Sequence, residues 1–157
     1  MGITYFALPV PAPLVNIARI NPRAFLPVLP AGHAWPNPPD ALLLDKPWRD
    51  LRDLLGMPRD KPPRPAFELL RGEVKEYGYG WLPYERVLGP QDIAGVARDL
   101  ARLDLAAMYQ AYSSLVSPDW AAIMDGRRCT VESYARKARV FTARLAERGQ
   151  GLVYSIG

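Results

Sequence analysis

The sequence predicts an α+β fold: a small sheet that includes both terminal strands, with several helices packed around it. Apolar runs rich in β-branched and aromatic residues stand at the two ends of the chain, ITYFAL at 3–8 and GLVYSI at 151–156. A third, YERVL at 84–88, lies in the middle. Between them, apolar residues recur at helical spacing, most regularly over 90–103 and 130–148. Each terminal run needs ladder partners for its backbone groups, so antiparallel pairing of 3–8 with 152–156 is expected, within one domain spanning 1–157.

Taken in order, the first strand is expected to stop at Pro9, and its lack of alternation implies burial on both faces. APLVNIARI has weak helical periodicity, and NPRAFLPVL offers Asn21 as an N-cap with Pro22 at the first helical position, so two short helices are expected. The prolines of PAGHAWPNPP at 30–39 and MPRDKPPRPA at 57–66 remove backbone donors and fix φ, which predicts loops. In LLLDKPWRDLRDLLG at 42–56, Asp45 is placed to cap a helix and Pro47 to occupy its first turn. Trp48, Leu51, Leu54 and Leu55 form its apolar stripe, leaving Arg49, Asp50, Arg52 and Asp53 to water or a partner. PAFELLRGE at 65–73 predicts a short helix ended by Gly72.

Gly78 and Gly80 then alternate with Tyr77, Tyr79 and Trp81, which predicts a tight turn whose aromatics pack it onto the core or line a pocket. The Gly-x-Gly lacks the third glycine and the Lys-Ser/Thr pair of a phosphate loop. Gly89-Pro90 opens a helix with Ile93, Val96, Ala97, Leu100 and Leu103 on its buried side. Asp104 caps the next, with Leu105, Met108, Tyr109, Tyr112 and Leu115 as its stripe, and Ser117-Pro118 starts another. Thr130 is expected to cap a long helix that buries Val131, Tyr134, Ala138, Phe141 and Leu145 and ends at Gly149 and Gly151.

Composition removes several function classes. With 157 residues, 49% hydrophobic and 23% charged, the chain has the make-up of a globular protein. No apolar run reaches the roughly 18 residues of a membrane span. The N-terminus lacks the basic and long apolar stretch of a signal peptide, and Phe6 stands where a myristoylation motif wants Ser or Thr, so a cytoplasmic protein without membrane partners is expected. Cys129 and His33 are the single cysteine and histidine. They leave no disulfide and no cysteine- or histidine-rich metal site, and neither a metal nor a cofactor is expected. His33 sits among prolines and glycine and reads as a solvated loop residue. The net charge of +4 comes almost wholly from arginine, with lysine at 46, 61, 75 and 137. Acids interleave with these bases, as in RDLRDLLGMPRDK, so no single-sign stripe points to nucleic acid.

The segments MGITYFAL, LLLDKPWRDLRDLLG, FELLRGE, GYGWLPYERVLGPQDIAGVARDLARLD and LAERGQGLVYSIG, in this order, resemble the YfbM-like bacterial family of domains of unknown function. The resemblance covers essentially the whole chain. Its most specific parts are Leu44-Asp45-Lys46 with Trp48 two positions on, and Gly78-Tyr79-Gly80 with a strand and a helix after it. It implies a small cytoplasmic α+β protein and brings no established activity with it. Arg52 stands where the family often has His, Arg71-Gly72 where it usually has Gly-Gly, and Trp81 where Pro is common. A capping Asp would be interchangeable with Ser or Asn, so a match that includes Asp45, Lys46 and Trp48 together implies a binding role for that segment.

These residues point to three functions. One is a non-enzymatic protein-interaction module, an immunity or adaptor protein, anchored by aromatic and arginine side chains such as Trp35, Trp48, Trp81 and Trp120. Another is a binder of a small anionic ligand, held by Lys46 and Arg52 and stacked on Tyr77 or Tyr79. The third is an enzyme of unknown reaction working through groups such as Asp45 and Tyr79, since no nucleophile motif is present. The expected binding residues are Asp45, Lys46, Trp48, Arg52, Tyr77, Gly78, Tyr79, Gly80 and Trp81.

Overall fold

The computed structural model describes residues 3–28 and 38–157. His33, Trp35 and most of the proline-rich stretch 30–39 lie outside the described residues. Six strands are seen: β1 (Tyr5–Val10), β2 (Leu42–Leu44), β3 (Lys75–Tyr77), β4 (Gly80–Leu82), β5 (Tyr84–Leu88) and β6 (Gly151–Ile156). The helices are α1 (Val15–Ile20), α2 (Trp48–Leu55), α3 (Pro90–Ala101), α4 (Leu105–Ser113), α5 (Pro118–Gly126) and α6 (Arg128–Glu147), with short 3-10 turns at Ala12–Leu14, Pro22–Phe25 and Pro65–Leu69. None is long and apolar enough to cross a membrane.

The main sheet has the order β2-β1-β6-β5, every neighbour antiparallel, so the two terminal strands pair antiparallel as the sequence predicts, and they do so at its centre. Thr4 and Gly157 exchange both backbone hydrogen bonds at 3.0 Å, and the antiparallel alternation counted from them fixes which groups face which neighbour. Pro9 does not end the strand. It lies opposite Leu152 at a non-hydrogen-bonded pair, so the donor it lacks would point away from β6. On that side β2 has already stopped at Leu42, opposite Ala7, and the proline removes no ladder bond there.

Both faces of the sheet are covered, and all six residues of β6 are buried. Tyr5, Ala7, Leu152, Tyr154 and Ile156 face a large core built from the apolar stripes of α2, α3, α4 and α6. Phe6, Val10 and Val153 face a smaller cluster with Val15 and Ala18 of α1 and with Leu26. The Tyr154 hydroxyl donates to the carbonyls of Arg71 at 2.5 Å and Glu68 at 3.3 Å, tying the 3-10 turn Pro65–Leu69 to the sheet. Arg64 grips Asp99 of α3 with two nitrogens, at 2.9 and 2.7 Å, and the Ala66 N–H donates to the same carboxylate at 2.8 Å. These bonds hold the Asp99 carboxyl below its ordinary range, Arg64 contributing most.

Several local expectations are corrected. Asn21 makes no capping bond, because the chain beyond it forms only the single 3-10 turn Pro22–Phe25. The segment 65–73 forms one 3-10 turn and stops short of Gly72. Leu115 is exposed, since α4 ends at Ser113 and the helical phase is lost beyond it. Thr130 does not cap α6: the helix begins at Arg128, after Arg127 closes α5, and Thr130 donates its N–H to the Arg127 carbonyl inside the first turn. Gly149, at φ +61, ends α6, while Gly151 belongs to β6. A Cβ at Gly151 would meet the Leu88 carbonyl oxygen at 2.5 Å, so close strand approach demands the glycine. Asp50, expected to face water or a partner, is buried and pairs with Arg127 at 3.2 Å.

Asp104 and Ser117 cap α4 and α5 through their side chains as expected. Val131, Tyr134, Ala138, Phe141 and Leu145 are buried along α6. Phe141→Ala is expected to cost about 3–5 kcal/mol in denaturant unfolding, and a loss under about 1 kcal/mol would contradict this packing.

Candidate functional site

The expected binding residues fall into two groups that the fold treats differently. In the first, Asp45 does not cap α2. Pro47 occupies the N-cap position, and the turn before it is closed by the Trp48 N–H donating to the Asp45 carbonyl at 2.9 Å. The Asp45 carboxylate accepts the N–H of its neighbour Lys46 at 2.8 Å, which fixes the local turn. The Asp45 N–H donates to the Tyr134 hydroxyl of α6 at 3.1 Å. Asp45 and Lys46 are exposed at this turn.

Trp48 is 1% exposed and its indole N–H donates to the Ile3 carbonyl at 3.3 Å, so it supports the turn from the core and presents no surface. The Arg52 guanidinium lies over its ring, 5.2 Å from the centroid. That guanidinium donates to the Gly72 carbonyl at 3.0 Å, pairs with Glu73 at 3.0 Å and lies 3.6 Å from Asp53. Arg52 thus clamps α2 to the 70–73 loop, and a bound anion would have to displace a carbonyl and two carboxylates. Gly72 itself has φ +118, and a Cβ there would run into the Tyr84 ring at 2.2 Å, so no other residue fits at the clamp. The cleft beside it, about 250 Å³, is lined by Asp53, Gly56, Arg59 and Phe67 as well as Arg52, Gly72 and Glu73. Burial raises the Asp53 carboxyl above its ordinary range against the pull of Arg52 and Arg59.

The second group forms a hairpin. Among the described residues β3 and β4 pair only with each other, Lys75 opposite Leu82, Glu76 opposite Trp81 and Tyr77 opposite Gly80. The loop is the pair Gly78-Tyr79, with a left-handed φ of +49 at Gly78, the glycine-first arrangement that matches the twist of the flanking strands. Gly80 has no such φ, and the Tyr77 ring lies across it at 3.8 Å from where a Cβ would be. The aromatics do not pack the turn onto the core. Tyr77, Tyr79, Trp81 and Leu82 are 60, 110, 36 and 52% exposed, and every residue of β3 faces solvent.

No hydrogen bond or ion pair among the described residues joins this hairpin to Asp45, Lys46, Trp48 or Arg52. The two expected groups are separate features, a structural clamp and an exposed aromatic hairpin. Sequence reasoning missed Leu82, which lies opposite Lys75 on the hairpin face that also carries Tyr77, out of phase with the alternation of Tyr77, Tyr79 and Trp81.

The fold is that of YfbM from Escherichia coli, a protein of unknown function whose crystal structure matches with a TM-score of 0.62 at 18% identity. The match spans 99% of this chain and 100% of that one. No family model and no curated protein matches the sequence. The likeness to YfbM is one of fold, and it agrees with the YfbM-like order of landmarks read from the sequence.

Asp45→Ser and Lys46→Ala are expected to leave stability nearly unchanged, within about 0.5 kcal/mol. Arg52→Ala removes a charged donor from a half-buried carbonyl and is expected to cost about 1.5–3 kcal/mol. Arg52→Lys should recover less than half of that, because an ammonium neither stacks on Trp48 nor reaches both acceptors. Urea titration of the four proteins measures this; an unchanged midpoint for Arg52→Ala would remove the clamp.

Proposed function

We propose that this chain is a protein-interaction module of the cytoplasm, of the immunity or adaptor kind, that engages its partner through the hairpin β3–β4. The observation that carries this reading is the exposure of Tyr77, Tyr79, Trp81 and Leu82 on a two-stranded ribbon that pairs with no other strand among the described residues. Such a ribbon gains little stability by itself, and large apolar groups left in water on it are a standing cost unless something covers them. Tyr and Trp are the residues that most often anchor protein interfaces, since they bring a large rigid area for few rotatable bonds. Lys75, Glu76 and Glu73 around them supply both signs of charge, as a polar rim does.

A small anionic ligand held jointly by Asp45, Lys46, Trp48 and Arg52 and by Tyr77–Trp81 draws less support. Trp48 is inside the core and Arg52 is engaged on three acceptors.

The test places a photo-crosslinking residue at Tyr79 in the native cell and compares wild type with a Tyr77→Ser, Tyr79→Ser, Trp81→Ser variant and with Lys46→Ala by co-purification. The expected result is a protein crosslinked at Tyr79 that also co-purifies with wild type and Lys46→Ala, and is lost from the triple variant while its unfolding midpoint is unchanged. A partner retained equally by the triple variant would move the function elsewhere on the surface.

A further inference from the structure

A second surface, independent of the hairpin, lies where the open edge of the sheet meets the last helix. Among the described residues β2 is an edge strand, paired with β1 alone. By the alternation set at Thr4 and Gly157, Leu42 and Leu44 turn their backbone groups to β1, and Ala41, Leu43 and Asp45 turn theirs outward. The outward edge is closed at both ends: the Ala41 N–H donates to the Pro38 carbonyl at 3.0 Å and the Asp45 N–H to the Tyr134 hydroxyl at 3.1 Å. Between them the Leu43 N–H and carbonyl face a groove of about 380 Å³.

α6 forms the other wall, antiparallel to β2. Tyr134 stands beside Asp45, and Arg144 lies 3.5 Å from Asp40. Residues 134–144 of a helix rise about 15 Å, and residues 40–45 of a strand about 16 Å, so the two run side by side for the length of the groove. Leu42, Val140 and Phe141 line its apolar side, the backbone of Leu43 its strand edge, and Arg136, Lys137 and Arg144 supply its charges. Val140 is 54% exposed on a helix whose other large apolar residues, Val131, Tyr134, Phe141 and Leu145, are buried.

We propose that this groove takes an extended, acidic segment of a partner protein, added as a strand beside β2. Charge complementarity selects the acidic side chains. Arg136, Val140 and Arg144 succeed one another at four-residue spacing, a step of about 6 Å along the helix, and alternate residues of an extended strand repeat every 6–7 Å or so. Strand positions i and i+4 therefore fall beside Arg136 and Arg144 and position i+2 beside Val140, so carboxylates at the two outer positions meet the cations, an apolar side chain between them meets Val140, and the peptide backbone meets Leu43. Asp40 already lays a carboxylate against Arg144 at the rim, the contact that the segment would repeat. The narrow apolar side favours a peptide over a nucleic acid backbone. This surface is a second contact site for the interaction function proposed above, and it stands or falls separately from the hairpin.

The probe is a labelled heptapeptide with glutamate at positions 2 and 6, valine at position 4 and threonine elsewhere, titrated into the full chain at low salt with anisotropy and amide NMR as readouts. Binding in the micromolar to millimolar range is expected, with protection of the Leu43 amide, loss of affinity on adding salt, and no change in the Tyr77→Ser, Tyr79→Ser, Trp81→Ser variant. Arg136→Ser with Arg144→Ser should weaken binding by about tenfold or more, while Lys61→Ser away from the groove leaves it unchanged. N-methylation of the central peptide bond, which keeps the charge and removes the strand's donor, should weaken it likewise. Equal binding by the double variant, absence of any change at Leu43 with millimolar peptide, or tighter binding of oligo-thymidine than of the peptide would overturn the proposal.

Discussion

The pairing of β1 with β6 is the constraint on which the remaining structure depends. It joins the first and last strands along their whole length at the centre of the main sheet, and it leaves every residue of β6 buried. A strand buried on both faces needs an apolar layer above and below it. The stripes of α2, α3 and α6 supply one layer, and α1 with Leu26 supplies the other. Because the pairing spans the chain, none of these layers has a complete partner until the last residues are in place.

That arrangement separates what holds the fold from what is left over. Trp48, Arg52 and Tyr154 look like site residues by type, yet each is occupied inside the structure: an indole donating to Ile3, a guanidinium on Gly72 and Glu73, a phenol on Arg71 and Glu68. The hairpin β3–β4 belongs to neither layer. Its aromatic side chains are therefore free to serve recognition, and a change there leaves the core contacts intact. The groove between β2 and α6 is open for a different reason: β2 is three residues long and, among the described residues, the sheet ends with it.

The long elements are legible in the sequence because burial imposes a period on them. Residues 84–88 and 151–156 form strands at the bounds their apolar runs predict, and the buried faces of α2, α3 and α6 agree with helical spacing. Short elements are not legible. β2 is a three-residue apolar run that periodicity cannot distinguish from the start of a helix, and Pro9 hides the end of β1 because only the register shows that its missing donor costs nothing. Asp45 fails as a cap for a reason of geometry: Pro47 already fills the position, so the carboxylate turns to Lys46. Of the candidate site, the Gly78-Tyr79 turn and its flanking aromatics are visible in the sequence, while their exposure, and the engagement of Arg52, depend on contacts distant in sequence.

Native-state amide hydrogen exchange at increasing denaturant tests this division most directly. The amides of β1 and β6 should exchange only by global unfolding, with the full denaturant dependence of the equilibrium transition, while those of Tyr77 to Leu82 exchange through local opening that denaturant barely affects. Hairpin amides protected to the global level would place the hairpin within the cooperative core, and terminal strands that open independently of the helices would contradict the central role of their pairing.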